Sequence, residues 1–176
     1  MVQNRWFIGV ALPKELSEAI SQVQRELINE DTMQKPLVPH ITIIHPNPLM
    51  ELSPLYFAPL AKKLTDPLLP CDIQLQSIGL LHSNVVYISV VSKQLQAIYD
   101  ELVAALPHHI QAQYFVGKEF IAHVTIAQTR GRNSFDTAFV ESVKKLIEPL
   151  LPTTFTVTNL TRFEWRASRN YIVKDL

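Results

Sequence analysis

An internal repeat constrains the fold of this chain more than any other feature of its sequence. The segment "KKLTDPLLP" at 62–70 returns as "KKLIEPLLP" at 144–152, with seven of nine residues identical and an offset of 82 positions (residue 144 against residue 62). Upstream, "NRWFIGVALPKELSEAISQVQREL" resembles "NVVYISVVSKQLQAIYDELVAAL" at about the same offset. Because repeated sequence units fold into repeated structural units, we expect residues 1–176 to form one bilobal domain.

Each copy of the repeat reads as a strand that leads into a helix, followed by a loop and a further strand. Apolar residues recur at helical spacing on one face of each predicted helix, namely Leu16, Ile20, Val23 and Leu27 in the first and Leu95, Ile98, Leu102 and Ala105 in the second. Pro13 and Ser92 are start signals for these two helices. The sequence therefore predicts that helices alternate with strands in both halves.

The strand after each helix has the same polar pattern. The first is "LVPHITIIHP" and the second is "FIAHVTIAQ", so that His40 and His123 are 83 positions apart, in step with the repeat. Threonine is common in strands, and a single His-x-Thr triplet would carry little information. Two triplets at matching positions of an independently detected repeat indicate a shared role.

Strand alternation groups the polar residues of each triplet. Residues two apart lie on the same face of a strand, so His40 pairs with Thr42 and His123 pairs with Thr125. If the halves are related by an approximate twofold axis, these faces oppose each other. The sequence then predicts two imidazoles and two hydroxyls around one cleft.

Such a group of side chains suits proton transfer at phosphorus. An imidazole with a pKa near ~6.5 exists in both protonation states near neutrality, so one histidine can act as base and the other as acid. The threonine hydroxyls can donate hydrogen bonds to phosphoryl oxygens. This arrangement needs no metal, and the chain has no nucleophile-elbow pattern for a serine hydrolase.

The motifs "HITI" at 40–43 and "HVTI" at 123–126 resemble the paired His-x-Thr/Ser motifs of the two-histidine (2H) phosphoesterase superfamily. That superfamily includes the 2'-5' RNA ligase-like proteins and the cyclic phosphodiesterases. The resemblance covers nearly the whole chain, including the closing strand "SRNYIVKDL". It implies an α+β fold with two pseudo-symmetric lobes, each an antiparallel sheet backed by helices, and a central cleft.

The resemblance also implies a function. It implies metal-independent opening of 2',3'-cyclic phosphates to 2'-phosphates, or reaction at 2'-5' linkages, with His40 and His123 as the acid/base pair and Thr42 and Thr125 binding phosphate. Ligase-like members often have arginine five residues after the second histidine, where this chain has Gln128. Their first motif tends to continue into an aromatic-Leu-Gly run, which is replaced here by Ile-His-Pro at 44–46.

Some further residues are candidates of lower rank. Arg130 follows the second motif and could replace the missing arginine as a phosphate ligand, although a solvated loop charge is the alternative. Strand alternation sends His45 away from the cleft unless Pro46 twists the strand end. A zinc site of His40, His45 and His123 is a weaker alternative, because no carboxylate or thiolate accompanies them at a ligand spacing.

Aromatic residues could stack a nucleobase, and the sequence offers Trp6, Phe7, Tyr87, Phe120, Phe163, Trp165 and Tyr171. Trp6, Tyr87 and Tyr171 occupy similar places in recurring strand starts, which favours packing. Phe120 and Phe163 are left as candidate substrate contacts. The alternatives to an enzyme are a non-catalytic nucleotide- or RNA-binding module using the same cleft, and a purely structural role that leaves the four polar residues unexplained.

Composition limits the substrates and the setting. Sixteen basic and sixteen acidic residues give no global field for a long nucleic acid, so we expect a small nucleotide or an RNA terminus as substrate. The lone Cys71 excludes internal disulfides, and the N-terminal apolar run is too short for a signal sequence. We expect a cytoplasmic monomer without cofactor, membrane span or obligate protein partner.

Overall fold

The computed structural model describes residues 5–27, 38–129, 134–165 and 171–176. Over these residues the chain forms an α+β fold of antiparallel strands backed by helices, which confirms the fold class expected from the sequence. Each half begins with a strand and a helix, and each "LLP" segment begins at the last residue of a 3-10 turn and precedes a strand.

The first half contains three strands and three helices. They are β1 (Trp6–Ala11), α1 (Lys14–Leu27), β2 (His40–Ile44), α2 (Pro46–Leu49), α3 (Pro54–Thr65) and β3 (Cys71–Leu81), with a 3-10 turn at Asp66–Leu68 between α3 and β3. The second half begins in the same way, but it has a second helix before the strand of its His-x-Thr motif and ends with three strands. It consists of β4 (Val85–Val91), α4 (Leu95–Ala104), α5 (His108–Tyr114), β5 (His123–Gln128), α6 (Thr137–Ile147), a 3-10 turn at Glu148–Leu150, β6 (Thr153–Val157), β7 (Thr161–Trp165) and β8 (Tyr171–Asp175).

The predicted apolar face of α1 packs into the core as its spacing requires. Ile20 and Val23 are buried, and Leu16 and Leu27 are partly buried against the same core. Burying an aliphatic side chain of this size stabilises the fold by about 1.5–3 kcal/mol. In α4, Leu95, Ile98 and Leu102 are buried in the same way, while the predicted Ala105 lies just beyond the last helical residue.

The eight described strands form one curled antiparallel sheet in the order β6-β3-β4-β5-β2-β1-β7-β8. Four strands lie on each side of the junction between β2 and β5, so that β3 lies with the strands of the second half, and β7 and β8 lie with those of the first. The junction is the ladder between β2 and β5, in which Ile41 pairs with Val124. We call this junction the seam. The two strands that carry the His-x-Thr motifs are the two strands that meet there.

Helices cross over the seam. Helix α1 of the first half packs on β5 of the second half, and α4 of the second half packs on β2 of the first half. Gln24 of α1 shows the contact in detail, because its amide Nε2 donates to the backbone oxygen of Thr125 at 3.1 Å. The motif strand of each half is therefore supported by a helix of the other.

Both motif strands contain a β-bulge at the same place. On β2, Ile44 pairs with Ile8 and Thr42 pairs with Gly9, which leaves the intervening Ile43 without a ladder partner. On β5, Ala127 pairs with Val86 and Thr125 pairs with Tyr87, and the skipped residue is Ile126. A bulge inserts one extra residue and reverses the alternation beyond it.

These ladders correct one alignment suggested by the sequence. Tyr87 pairs with the threonine of its motif, and in the first half that position is occupied by Gly9, not by Trp6. Trp6 is 1% exposed and lies near Phe57, so its predicted packing role is seen in the structure. The side chain of Tyr171 lies outside the described part of the structure.

Candidate active site

The seam gathers the four motif side chains. His40 and Thr42 on β2 and His123 and Thr125 on β5 line one pocket with a volume of about 470 Å³. Ile41 and Val124 alternate to the other face, where both are completely buried. The geometry brings together the residues that strand alternation paired.

The antiparallel direction of β2 and β5 sets a crossed arrangement. Because Ile41 pairs with Val124, the residue after Ile41 lies toward the residue before Val124, and the reverse holds on the other side. Thr42 is therefore on the His123 side of the seam, and Thr125 is on the His40 side. Each histidine is next to the threonine of the other half.

The backbone holds both imidazoles in the same way. Nδ1 of His40 is 2.7 Å from the carbonyl oxygen of Val38, and Nδ1 of His123 is 2.7 Å from the carbonyl oxygen of Ile121. A carbonyl oxygen can only accept, so Nδ1–H is the donor in both pairs. This hydrogen bond fixes the tautomer and makes Nε2 the ring nitrogen that gains or loses a proton.

His40 lies in aromatic surroundings. Its ring centroid is 4.8 Å from that of Phe7 and 5.0 Å from that of Phe163, and these two phenyl rings stack on each other at 4.6 Å. Burial lowers the pKa of His40 below its ordinary value, with a smaller contribution from the charge of His123. The hydrogen bond to Val38 acts in the opposite direction. His40 therefore favours its neutral form.

His123 has a different neighbour. The ring of Tyr87 meets it edge to face, with centroids 5.4 Å apart and an interplanar angle of 68°. On the β5 side of the seam, Val85 and Leu81 occupy the ladder positions that Phe7 and Phe163 occupy on the β2 side. The two histidines thus share their backbone partner but not their side-chain surroundings.

The two threonine hydroxyls are available as donors. Within the described residues, no protein group forms a hydrogen bond with the hydroxyl of Thr42 or Thr125. Each is partly exposed and lines the pocket. A hydroxyl is both donor and acceptor, so each can donate to an anionic oxygen between the imidazoles.

The bulges correct the expectation for His45. Alternation alone sends this side chain away from the cleft, but the extra residue at Ile43 turns it back, and His45 lines the pocket. Gln128, five residues after His123, lines the pocket for the same reason. His45 also begins α2, where its Nδ1 accepts a long hydrogen bond of 3.5 Å from the backbone N–H of Asn47.

Of the two aromatic residues predicted to contact substrate, one lines the pocket and the other is buried. Phe120 lines the pocket and stacks on Tyr99 with centroids 4.4 Å apart. Phe163 is completely buried and contacts the ring of His40, so the expectation that it touches substrate is not supported. Arg130, the candidate phosphate ligand, lies outside the described residues.

Some pocket residues were not expected from the sequence. Gln24 is 3% exposed and lines the pocket, and its Oε1 has no partner among the described residues. A polar residue next to Val23 on the apolar face of α1 was the available signal. Tyr99, on the predicted helix α4, and Phe115, just after α5, also line the pocket, and no local pattern singled them out.

Charge and metal ligands are sparse in the described pocket. Its charged residues are Lys118 and Glu119, which have opposite signs. No group of three or more His, Cys, Asp or Glu side chains is placed to hold a metal ion in the ranges that the structure describes. The alternative zinc site of His40, His45 and His123 is therefore not assembled there. None of the described helices is long and apolar enough to span a membrane.

Comparisons with known proteins agree with this architecture. A family model described as the 2'-5' RNA ligase superfamily matches residues 10–169. No curated protein matched the sequence. Solved structures show the same fold: TT0787 of Thermus thermophilus is 18% identical with a TM-score of 0.62, over 98% of this chain and 94% of that one.

Two other solved structures are similar to the same extent. Escherichia coli LigT complexed with 3'-AMP is 16% identical, with a TM-score of 0.61 over 99% of this chain and 95% of LigT. A crystal structure described as a phosphoesterase is 15% identical, with a TM-score of 0.62 over 99% and 95% of the two chains. At these identities the likeness establishes the fold.

Proposed function

The chain belongs to the 2'-5' RNA ligase superfamily, and we propose that it is a metal-independent phosphoesterase that opens 2',3'-cyclic phosphates to 2'-phosphates. The family is one of phosphoesterases, which supports an enzyme in general terms. The proposal goes further in naming the substrate class and the residues. Its substrates are small nucleotides or RNA termini.

One observation carries the proposal. His40 and His123 come from opposite halves of the chain, line one pocket and have Nδ1 held by a backbone carbonyl at the same distance. A binding module needs no such matched pair of imidazoles. A reaction that removes one proton and supplies another needs both of them.

Ring opening uses the pair as follows. Water attacks phosphorus from the side opposite the ester oxygen O3', and its proton passes to the neutral imidazole Nε2 of one histidine. The P–O3' bond breaks as O3' takes a proton from Nε2–H of the other histidine. The product is a 2'-phosphate with a free 3'-hydroxyl, and a proton exchange with solvent resets the pair.

The threonines stabilise the charge on phosphorus. The hydroxyls of Thr42 and Thr125 donate to its non-bridging oxygens, and the crossed arrangement provides one hydroxyl beside each histidine. His45 is close enough to the pocket to contact the substrate outside the phosphate. LigT, the structural relative, was solved with 3'-AMP and with phosphate, ligands of the kind proposed here.

The balanced charge of the chain supports small substrates, because affinity for long nucleic acids comes mainly from Lys and Arg contacts to phosphates. We further propose a monomer that acts in the cytoplasm. The single Cys71 is buried and unpaired, which suits a reducing compartment.

The test is an assay of adenosine 2',3'-cyclic phosphate in the presence of a chelator. We expect turnover to 2'-AMP in chelator, and its loss in His40→Ala and in His123→Ala. The matched control is His108→Ala, which removes an exposed histidine that does not line the pocket. Tight binding of 2'-AMP without turnover of any cyclic phosphate would show that the protein is a binding module and not an enzyme.

A further inference from the structure

One wall of the pocket is aromatic and lies outside both motifs. It consists of Tyr99 on α4, Phe115 just after α5, and Phe120 shortly before β5, and we call these three residues the aromatic wall. Tyr99 stacks on Phe120 with centroids 4.4 Å apart and an interplanar angle of 11°. Phe115 meets Tyr99 edge to face at 6.0 Å, so the three rings form one connected surface.

The aromatic wall belongs to one end of the seam. Phe120 is three residues before His123, whose Nδ1 donates to the carbonyl of Ile121. Because β2 and β5 are antiparallel, this is also the end toward which β2 runs as it passes Thr42 to His45. A ligand whose phosphate lies between the histidines reaches the wall if it extends past His123.

The size of the pocket leaves room for such an extension. Its volume of about 470 Å³ far exceeds what one phosphoryl group fills, and it falls in the range of about 300–1,000 Å³ that small-molecule sites occupy. The four motif side chains account for the polar centre. The rest of the volume is bounded largely by apolar and aromatic side chains.

Charge indicates what the rest of the ligand is. Beside the aromatic wall, the described pocket offers Lys118 and Glu119, both exposed and opposite in sign. This pair gives no net cationic site for a second phosphate. A flat, uncharged group fits the wall better than a phosphate chain does, because an aromatic ring stacks on other π-systems.

We propose that the aromatic wall is a nucleobase-binding subsite, so that the substrate lies with its phosphate at the seam and its base beyond His123. The orientation rests on the proposed function, which places the phosphate between His40 and His123. The subsite makes the enzyme selective for nucleoside cyclic phosphates over cyclic phosphates without a base.

A pair of substrates isolates this contribution. Adenosine 2',3'-cyclic phosphate and glycerol 1,2-cyclic phosphate carry the same five-membered reacting ring, but only the first has a base. In Phe120→Leu we expect KM for the adenosine substrate to rise about tenfold with kcat little changed, since one stacking contact is lost. The kcat/KM of the glycerol substrate stays within about twofold.

The controls separate stacking from packing. Phe120→Trp keeps an aromatic face and restores KM, while Tyr56→Leu changes an aromatic residue that is 83% exposed and outside the pocket. Tyr99→Leu is the second loss variant, and thermal melting checks that each variant is folded. An equal loss on both substrates, or no loss on either, would overturn the subsite.

Direct binding keeps the two proposals distinguishable. If neither cyclic phosphate is turned over, calorimetric titration with 2'-AMP and with inorganic phosphate still probes the aromatic wall. We expect Phe120→Leu to weaken 2'-AMP binding about tenfold and to leave phosphate binding unchanged. Equal affinity of wild type and Phe120→Leu for 2'-AMP would reject the subsite independently of catalysis.

Discussion

The two halves of the molecule hold their histidines identically but surround them differently. In both, Nδ1 donates to the carbonyl two residues earlier at 2.7 Å. His40 then packs against the stacked pair Phe7 and Phe163, whereas His123 meets the edge of Tyr87. The shared feature fixes the tautomer, which proton transfer requires at both positions. Under the proposed function, the different surroundings would suit one histidine to act as acid and the other as base.

Glycines make room for the different aromatic rings. At Gly9 an added Cβ would overlap the carbonyl oxygen of Ile41 and come within 3.2 Å of the Phe163 ring. On the β5 side of the seam, Gly79 faces the ring of Tyr87, and an added Cβ would lie 2.5 Å from its Cζ. Each side of the seam therefore accommodates a ring beside its histidine, but from a different strand.

Removing either histidine is expected to have the largest effect. Despite their different surroundings, His40→Ala and His123→Ala should each lower kcat for adenosine 2',3'-cyclic phosphate by about 10²–10⁴-fold, because each removes one positioned proton transfer. Steady-state kinetics with His108→Ala as control measures this. Full activity in one of the two variants would show that the halves are not partners in one reaction.

The threonines should come next. Thr42→Val and Thr125→Val remove one hydroxyl each without much change in volume, and we expect about 10²-fold lower kcat from each. Thr→Ser at the same positions keeps the donor and serves as the control. If the valine variants have the kcat of the wild type, the two hydroxyls have no part in the reaction.

Replacing each of the two glycines by alanine should lower the free energy of unfolding by different amounts. Gly9→Ala pushes a methyl group against backbone and should lower the free energy of unfolding by about 3 kcal/mol, while Gly79→Ala meets the far end of a side chain that can move and should cost about 1 kcal/mol. Urea denaturation measures both. The reverse order would contradict this account of the packing.

The smallest effect is expected when the surroundings of His40 are made like those of His123, and it should appear in the pH dependence of kcat/KM. Phe7→Val introduces the residue that Val85 provides in the second half. Since burial lowers the pKa of His40, loosening its surroundings should raise that pKa toward the ordinary value. One limb of the bell-shaped profile of kcat/KM then moves to higher pH.

The limb that moves identifies the role of His40. A shift of the acidic limb means that His40 acts as base in the free enzyme, and a shift of the alkaline limb means that it acts as acid. Two unmoved limbs in a folded Phe7→Val protein would show that the aromatic pair does not tune His40.

Much of the fold and the centre of the site could be predicted from the sequence, because the repeat, strand alternation and the helical spacing of apolar residues can be read from it directly. They were enough to group His40 with Thr42, and His123 with Thr125, on faces that meet at the seam. The helical spacing of apolar residues gave the buried face of α1.

What alternation could not give depends on the ladders. The bulge at Ile43 returns His45 to the pocket. The ladder register makes Tyr87 the equivalent of Gly9 in the repeat, not of Trp6. Neither feature can be predicted from local periodicity, since both arise from pairing with a strand that is distant in the sequence. Phe163 is a similar case, as its burial follows from the ring stack with Phe7.

The central claim is that His40 and His123 act on one phosphate, and ring-nitrogen NMR of the histidines during titration with inorganic phosphate tests it most directly. We predict that the signals of His40 and His123 shift together along a single saturation curve, while His108 stays in place. A shift of only one of the pair, or two curves with different midpoints, would contradict the account.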